Sequence, residues 1–197
     1  MIFMITAQSI IFACWVIFLL YWFLSWWSVK PTQERKRSIG TVRWVIRVII
    51  IGLVIAFLFL RNFGLSVPFL GVFLVPHSAL LTGASVILVV VGLGIAILAR
   101  RTLAGNWSSV VDVKVDHELI TTGIYGYMRH PIYTGVLLMG LGTVMVIGTM
   151  SMFLFFLAMV GFFWFKAKQE EDLLTKHFPK EYPAYKNRTK ALIPFVL

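Results

Sequence analysis

Between long apolar runs, the stretch Gly123-Ile124-Tyr125-Gly126-Tyr127-Met128-Arg129-His130-Pro131-Ile132-Tyr133-Thr134-Gly135 gathers an arginine, a histidine, a proline, three tyrosines and three glycines. Pro131 opens an apolar segment, the usual place for proline at a helix start, where free backbone N–H groups and the positive end of the helix dipole hold an anion. The rings of Tyr125, Tyr127 and Tyr133 can stack on a base or face a cation. Gly123, Gly126 and Gly135 leave room for a ligand near the backbone. Downstream, Glu170 and Glu171 offer carboxylates to an ammonium or to ribose hydroxyls. A ligand with a base, a ribose, an ammonium, a carboxylate and a sulfonium uses all of these groups, and S-adenosylmethionine is such a ligand. The same residue types also suit plain membrane anchoring, a basic pair beside a proline among belt tyrosines.

Other chemistries lack their residues. The four histidines, His77, His117, His130 and His177, form no H-x-x-x-H or H-E-x-x-H pair, and His117-Glu118 lacks a second histidine. The single cysteine, Cys14, lies in an apolar run, so neither an internal disulfide nor a cysteine metal site is available. No metal is expected. A G-x-S-x-G elbow, a phosphate-binding G-x-x-x-x-G-K-[ST] loop and a strand–G-x-G-x-x-G–helix are all missing.

The elements that must position these residues belong to a membrane. The chain is 59% hydrophobic and 13% charged, against about 25% charged in a soluble domain. Its net charge of +10 sits in blocks beside apolar runs, the positive-inside pattern, and no nucleic acid is needed to explain it. A first span is expected over 10–27, retained rather than cleaved because residues 1–9 carry no Lys or Arg. The basic loop 30–37 follows. A second span covers 42–60, with Arg43 and Arg47 at its start. The apolar piece 65–75, interrupted by Pro68, reads as interfacial or re-entrant. A third span over 78–99 carries Gly83, Gly92 and Gly94 for close helix approach and ends at Arg100-Arg101, a cytoplasmic mark. The polar loop 100–128 includes an alternating piece at 110–115. The runs 132–148 and 150–165, parted only by Gly148-Thr149, predict a tight helical hairpin. Its second helix should extend into water through Glu170, Glu171, Leu173, Leu174 and His177 until Phe178-Pro179 stops it. The reading is an all-α integral membrane protein of about five transmembrane helices, N-terminus outside and C-terminus in the cytoplasm. It is a single domain, 1–197, with 1–99 as transmembrane scaffold and 100–197 as the cofactor-binding and catalytic region around a cytoplasmic pocket.

The pattern His117-x-Leu119-Ile120-x-x-Gly123-x-Tyr125-x-x-x-Arg129-His130-Pro131-x-Tyr133-x-Gly135 resembles the isoprenylcysteine carboxyl methyltransferase family. So do Glu170-Glu171, Phe178, Tyr182, Tyr185 and the closing Ile193-Pro194-Phe195. The resemblance runs from about Arg100 to the end. It implies an integral membrane methyltransferase that uses S-adenosyl-L-methionine, with cofactor contacts at His117, Glu118, Leu119, Ile120, Tyr125, His130, Pro131, Ile132, Tyr133 and Glu170. The family carries an arginine four positions before that glutamate, where it helps hold the substrate carboxylate. Lys166 stands there in this chain, and a lysine is a point charge rather than a planar fork.

Lys166, Glu171 and Arg129 are the candidate catalytic residues, Lys166 also binding substrate. The acceptor implied is a lipophilic carboxylate, such as an isoprenylcysteine, entering from the bilayer. An ionised carboxylate is already nucleophilic at neutral pH. The alternative acceptor is a phospholipid amine, which must lose a proton first and would need a base such as Glu171. A third alternative is a non-enzymatic module binding anionic membrane lipids through Arg35, Lys36, Arg37, Arg43 and Arg47.

Overall fold

The computed structural model describes residues 2–25, 71–75, 78–104, 107 and 118–192. The expected second span at 42–60 with Arg43 and Arg47, the loop 30–37, His77, the alternating piece 110–115, His117 and the segment 193–197 lie outside these residues. The helices are α1 (Ile2–Ser25), α2 (Ala79–Leu103), α3 (Pro131–Ile147), α4 (Met150–His177) and α5 (Glu181–Arg188), with a 3-10 turn at Gly123–Gly126 before α3. Apart from two isolated bridges, the described residues form no β-structure.

Among the described residues, three helices are long and apolar enough to cross a membrane: α1 from Thr6 to Ser25, α2 and α4. The fourth apolar helix, α3, has 17 residues. At about 1.5 Å per residue it reaches about 25 Å, close to the hydrocarbon thickness. The apolar half of α4 turns Phe153, Leu154, Phe155, Leu157, Phe162 and Phe165 outward, the surface a lipid-facing helix presents.

α2 and α3 form the tightest pair. A Cβ on Gly92 would lie 2.5 Å from the Gly135 carbonyl oxygen, and one on Gly135 would lie 2.6 Å from the Gly92 oxygen. Gly142 meets the Ser85 oxygen in the same way. Of the three glycines expected to allow close approach in α2, Gly92 alone does so among the described residues. Gly83 and Gly94 have open space beside them, because at about 100° per residue they lie roughly on the opposite side of the helix from Gly92. α1 closes the core through Ile11 and Cys14, which pack with Val89, Leu93, Met139 and Val146. Trp15 Nε1 donates to Thr143 Oγ1 at 3.1 Å.

Arg100, expected at the end of the third span, lies within the helix. α2 runs past it to Leu103, and the side chain is only 2% exposed. It donates to the Ala104 carbonyl at 2.6 Å and to the Ser25 carbonyl at 2.7 Å, and lies 4.6 Å from the Trp107 ring centre. One guanidinium thus caps chain ends of both α1 and α2, where helical carbonyls lack partners.

The hairpin forms at the predicted place. Gly148 adopts φ +69° and its N–H bonds to the Val144 carbonyl, ending α3 in a conformation that favours glycine. The described end of the 65–75 piece is pinned there: Leu74 N donates to Gly148 O at 2.7 Å and Met150 N to Val72 O at 2.9 Å. α4 continues beyond the apolar run to His177 and stops at Phe178, which brings Glu170 and Glu171 beside the start of α3.

Candidate active site

The site is assembled where the chain enters α3. Pro131 is the first helical residue after His130, and the first amide to bond back within the turn is that of Thr134, to the His130 carbonyl at 3.1 Å. The amides of Ile132 and Tyr133 therefore sit at the unsatisfied, positive end of the helix. The tight 3-10 turn before it, with Gly123 at φ +60°, buries Tyr125.

A returning strand-like segment holds this entry in place. Arg129 N donates to Lys190 O at 2.8 Å, His130 N to Ala191 O at 2.9 Å and Thr134 Oγ1 to Leu192 O at 2.6 Å. Tyr185, from α5, donates its hydroxyl to the Tyr125 carbonyl at 2.6 Å. Burial pushes the Tyr185 phenol up to about 12 and raises those of Tyr182 and Tyr125 as well. All three rings stay neutral at physiological pH.

Two adjacent glutamates serve different faces. Glu170 accepts from the Tyr133 hydroxyl at 2.5 Å, with Lys166 Nζ 3.9 Å and His130 Nδ1 3.6 Å away. Its side chain keeps 22% exposure, so a ligand can reach it. The Tyr133 ring is stacked with His130 at 5.3 Å, tilted against Phe163 at 4.8 Å, and has Lys166 Nζ 5.2 Å from its centre. Glu171 is buried, 2.9 Å from Arg129 Nε, 2.8 Å from Lys186 Nζ and 3.4 Å from His130 Nε2. Arg129 also donates to the carbonyls of Lys186 and Thr189.

Tyr133, His130, Glu170 and Lys166 therefore form one constellation, and Arg129 and Glu171 form an ion pair behind it. Pro131 and Ile132 stand at the helix entry. Glu118 is exposed and Ile120 half-buried. Leu119 lines a cleft of about 310 Å³ with Thr121, Glu181, Ala184, Tyr185 and Arg188. His117 lies outside the described residues. No group of three or more His, Cys, Asp and Glu able to hold a metal occurs among the described residues. The contributions of Lys186, of the Tyr185 hydroxyl and of the 189–192 backbone were missed, because nothing in local spacing signals a partner some 60 residues away.

Residues 85–176 match the family model of isoprenylcysteine carboxyl methyltransferase. Similar relatives include the protein-S-isoprenylcysteine O-methyltransferases of Saccharomyces cerevisiae, 32% identical over 60% of this chain and 51% of the relative, and of Rattus norvegicus, 31% identical over 59% of this chain and 42% of the relative. The chain thus spans about half the length of the curated relatives it matches. A solved eukaryotic intramembrane Ras methyltransferase, also an isoprenylcysteine carboxyl methyltransferase, superposes with a TM-score of 0.55 at 28% identity, over 59% of this chain and 43% of that one. Family model, relatives and solved structure point the same way: the part of the chain that carries His130, Tyr133, Lys166 and Glu170 is similar to isoprenylcysteine carboxyl methyltransferases.

Proposed function

We propose that this chain is an integral membrane methyltransferase that moves a methyl group from S-adenosylmethionine to a lipophilic acceptor, the carboxylate of an isoprenylcysteine-like molecule. The observation that carries the reading is the constellation of Tyr133, Glu170, Lys166 and His130 at the open end of α3, inside the family-matching segment. The donor set fits the cofactor. The Ile132 and Tyr133 amides suit its carboxylate, and Glu170, partly exposed, suits its ammonium or ribose hydroxyls. The buried His130 ring stands between the two carboxylates, Nδ1 3.6 Å from Glu170 and Nε2 3.4 Å from Glu171, and so fixes the edge of the proposed pocket. Tyr125, Leu119, Ile120, Glu118 and His117 complete the proposed set. When bound, the cofactor supplies an electrophilic methyl on sulfonium.

The chain's own part is alignment and exclusion of water, effects of proximity and a dry site. Lys166 carries the cation that meets the acceptor carboxylate. It stands on α4 at the end of the apolar run, where an acceptor arriving through the bilayer would present its head. The state of Glu171 supports a carboxylate acceptor over an amine. With Arg129 and Lys186 both within 3 Å, Glu171 is a poor proton acceptor, and a carboxylate needs no base.

The orientation we propose puts the site and the C-terminus in the cytoplasm and the N-terminus outside. It is supported by Lys166, Lys168, Lys176, Lys180, Lys186, Arg188 and Lys190 on one polar end.

The test is to incubate membranes containing the chain with methyl-labelled cofactor and an S-farnesylcysteine derivative. Base-labile methyl ester is the expected product. Label appearing only in phospholipid amines would replace this acceptor with the alternative, and no cofactor binding by folded protein in detergent would end both.

A further inference from the structure

The proposed chemistry leaves one buried cluster unused. Glu171, 2% exposed, is gripped from two sides by Arg129 and Lys186. These three residues come from three segments: the entry to α3, α4 and α5. A buried carboxylate is costly unless it is paired, and removing one partner strands the charge. The cluster also locks backbone, since Arg129 donates from its side chain to the carbonyls of Lys186 and Thr189 while its amide and that of His130 reach Lys190 and Ala191. His130 stands against this lock, its Nε2 3.4 Å from Glu171 and its Nδ1 3.6 Å from Glu170. Lys186 is the outermost member, with a side chain 44% exposed, and it touches none of the groups assigned to cofactor or acceptor.

We propose that Lys186, through Glu171 and Arg129, is a positioning residue: the three form a latch that docks α5 on the α3 entry and holds His130 and Glu170 in cofactor-binding geometry. Lys186 acts at a distance, so its loss should weaken cofactor binding while leaving turnover at saturating cofactor largely intact. The inference rests on the methyltransferase reading.

The experiment titrates S-adenosylmethionine into detergent-solubilised wild type, Lys186→Met and Lys186→Arg, and follows amide hydrogen exchange over 128–134 and 182–192. The expected result is about tenfold weaker binding in Lys186→Met with kcat within twofold, faster exchange at Arg129 and His130, and recovery of both in Lys186→Arg. Combined with Tyr133→Phe, the losses should be non-additive, as for residues acting on one network. A wild type that binds no cofactor removes the functional reading and this inference with it. A wild type that binds while Lys186→Met binds equally well overturns the latch alone. Faster exchange with unchanged affinity also overturns it, since the cluster would then hold α5 without positioning the site.

Discussion

Replacing Tyr133 by phenylalanine removes one oxygen from the centre of the site and little else. The ring keeps its stacking on His130 and its contact with Phe163, so the helix entry should stay packed. What is lost is the hydroxyl that donates to Glu170 at 2.5 Å. A hydrogen bond to a charged group contributes about 1.5–3 kcal/mol. Glu170 retains Lys166 at 3.9 Å and His130 at 3.6 Å, so its carboxylate has other resting places and the lower figure applies. At about 1.4 kcal/mol per factor of ten, S-adenosylmethionine should bind Tyr133→Phe roughly tenfold more weakly. Calorimetric titration in detergent measures this directly, and a thermal melt of the same sample checks that the fold is intact. An affinity within twofold of wild type in a folded Tyr133→Phe protein would refute the assignment of Glu170, as oriented by Tyr133, to the cofactor.

Lys166→Met should raise the KM for a carboxylate acceptor roughly tenfold, the loss of about one charge-assisted hydrogen bond, and move cofactor affinity less; steady-state kinetics with each substrate varied separates the two effects. Gly92→Ala should destabilise the protein by about 1–3 kcal/mol, because the added Cβ falls 2.5 Å from a backbone oxygen of α3. Gly83→Ala and Gly94→Ala, with open space at both positions, should be near neutral in the same unfolding assay. The phenol of Tyr185, pushed up to about 12 from an ordinary 10, stabilises the fold fully below pH 10. That contribution fades as pH rises through 12, because the unfolded chain loses this proton first. Tyr185→Phe should therefore lower the melting temperature at pH 7, by stranding the Tyr125 carbonyl, and flatten the alkaline limb of the stability profile.

Much of the scaffold could be read without coordinates, because its causes are local. Apolar runs of sufficient length mark α1, α2 and α4. Gly148 can take a positive φ, which ends α3 and starts the hairpin. Pro131, lacking an amide hydrogen, belongs at the first position of a helix. Arg100 shows where such reading stops. Its position at the end of an apolar run says nothing of its contacts, and only the approach of α1 makes the Ser25 carbonyl one of its partners. Gly83 and Gly94 are as small as Gly92, and only the direction from which α3 arrives selects among them.

The site divides in the same way. The sequence by itself determined which groups are present: a helix entry led by His130-Pro131, tyrosines beside it, and two consecutive carboxylates on a helix that returns to the same end. Residue type and spacing did not show which partners each carboxylate meets, since Glu170 and Glu171 are chemically equal neighbours, and only the family resemblance set Glu170 apart. Consecutive residues on a helix point about 100° apart, so the rotation of α4 against α3 sends one to Tyr133 and Lys166 and the other to Arg129 and Lys186. That rotation comes from packing between segments 40 to 60 residues apart, and only the tertiary structure decides it.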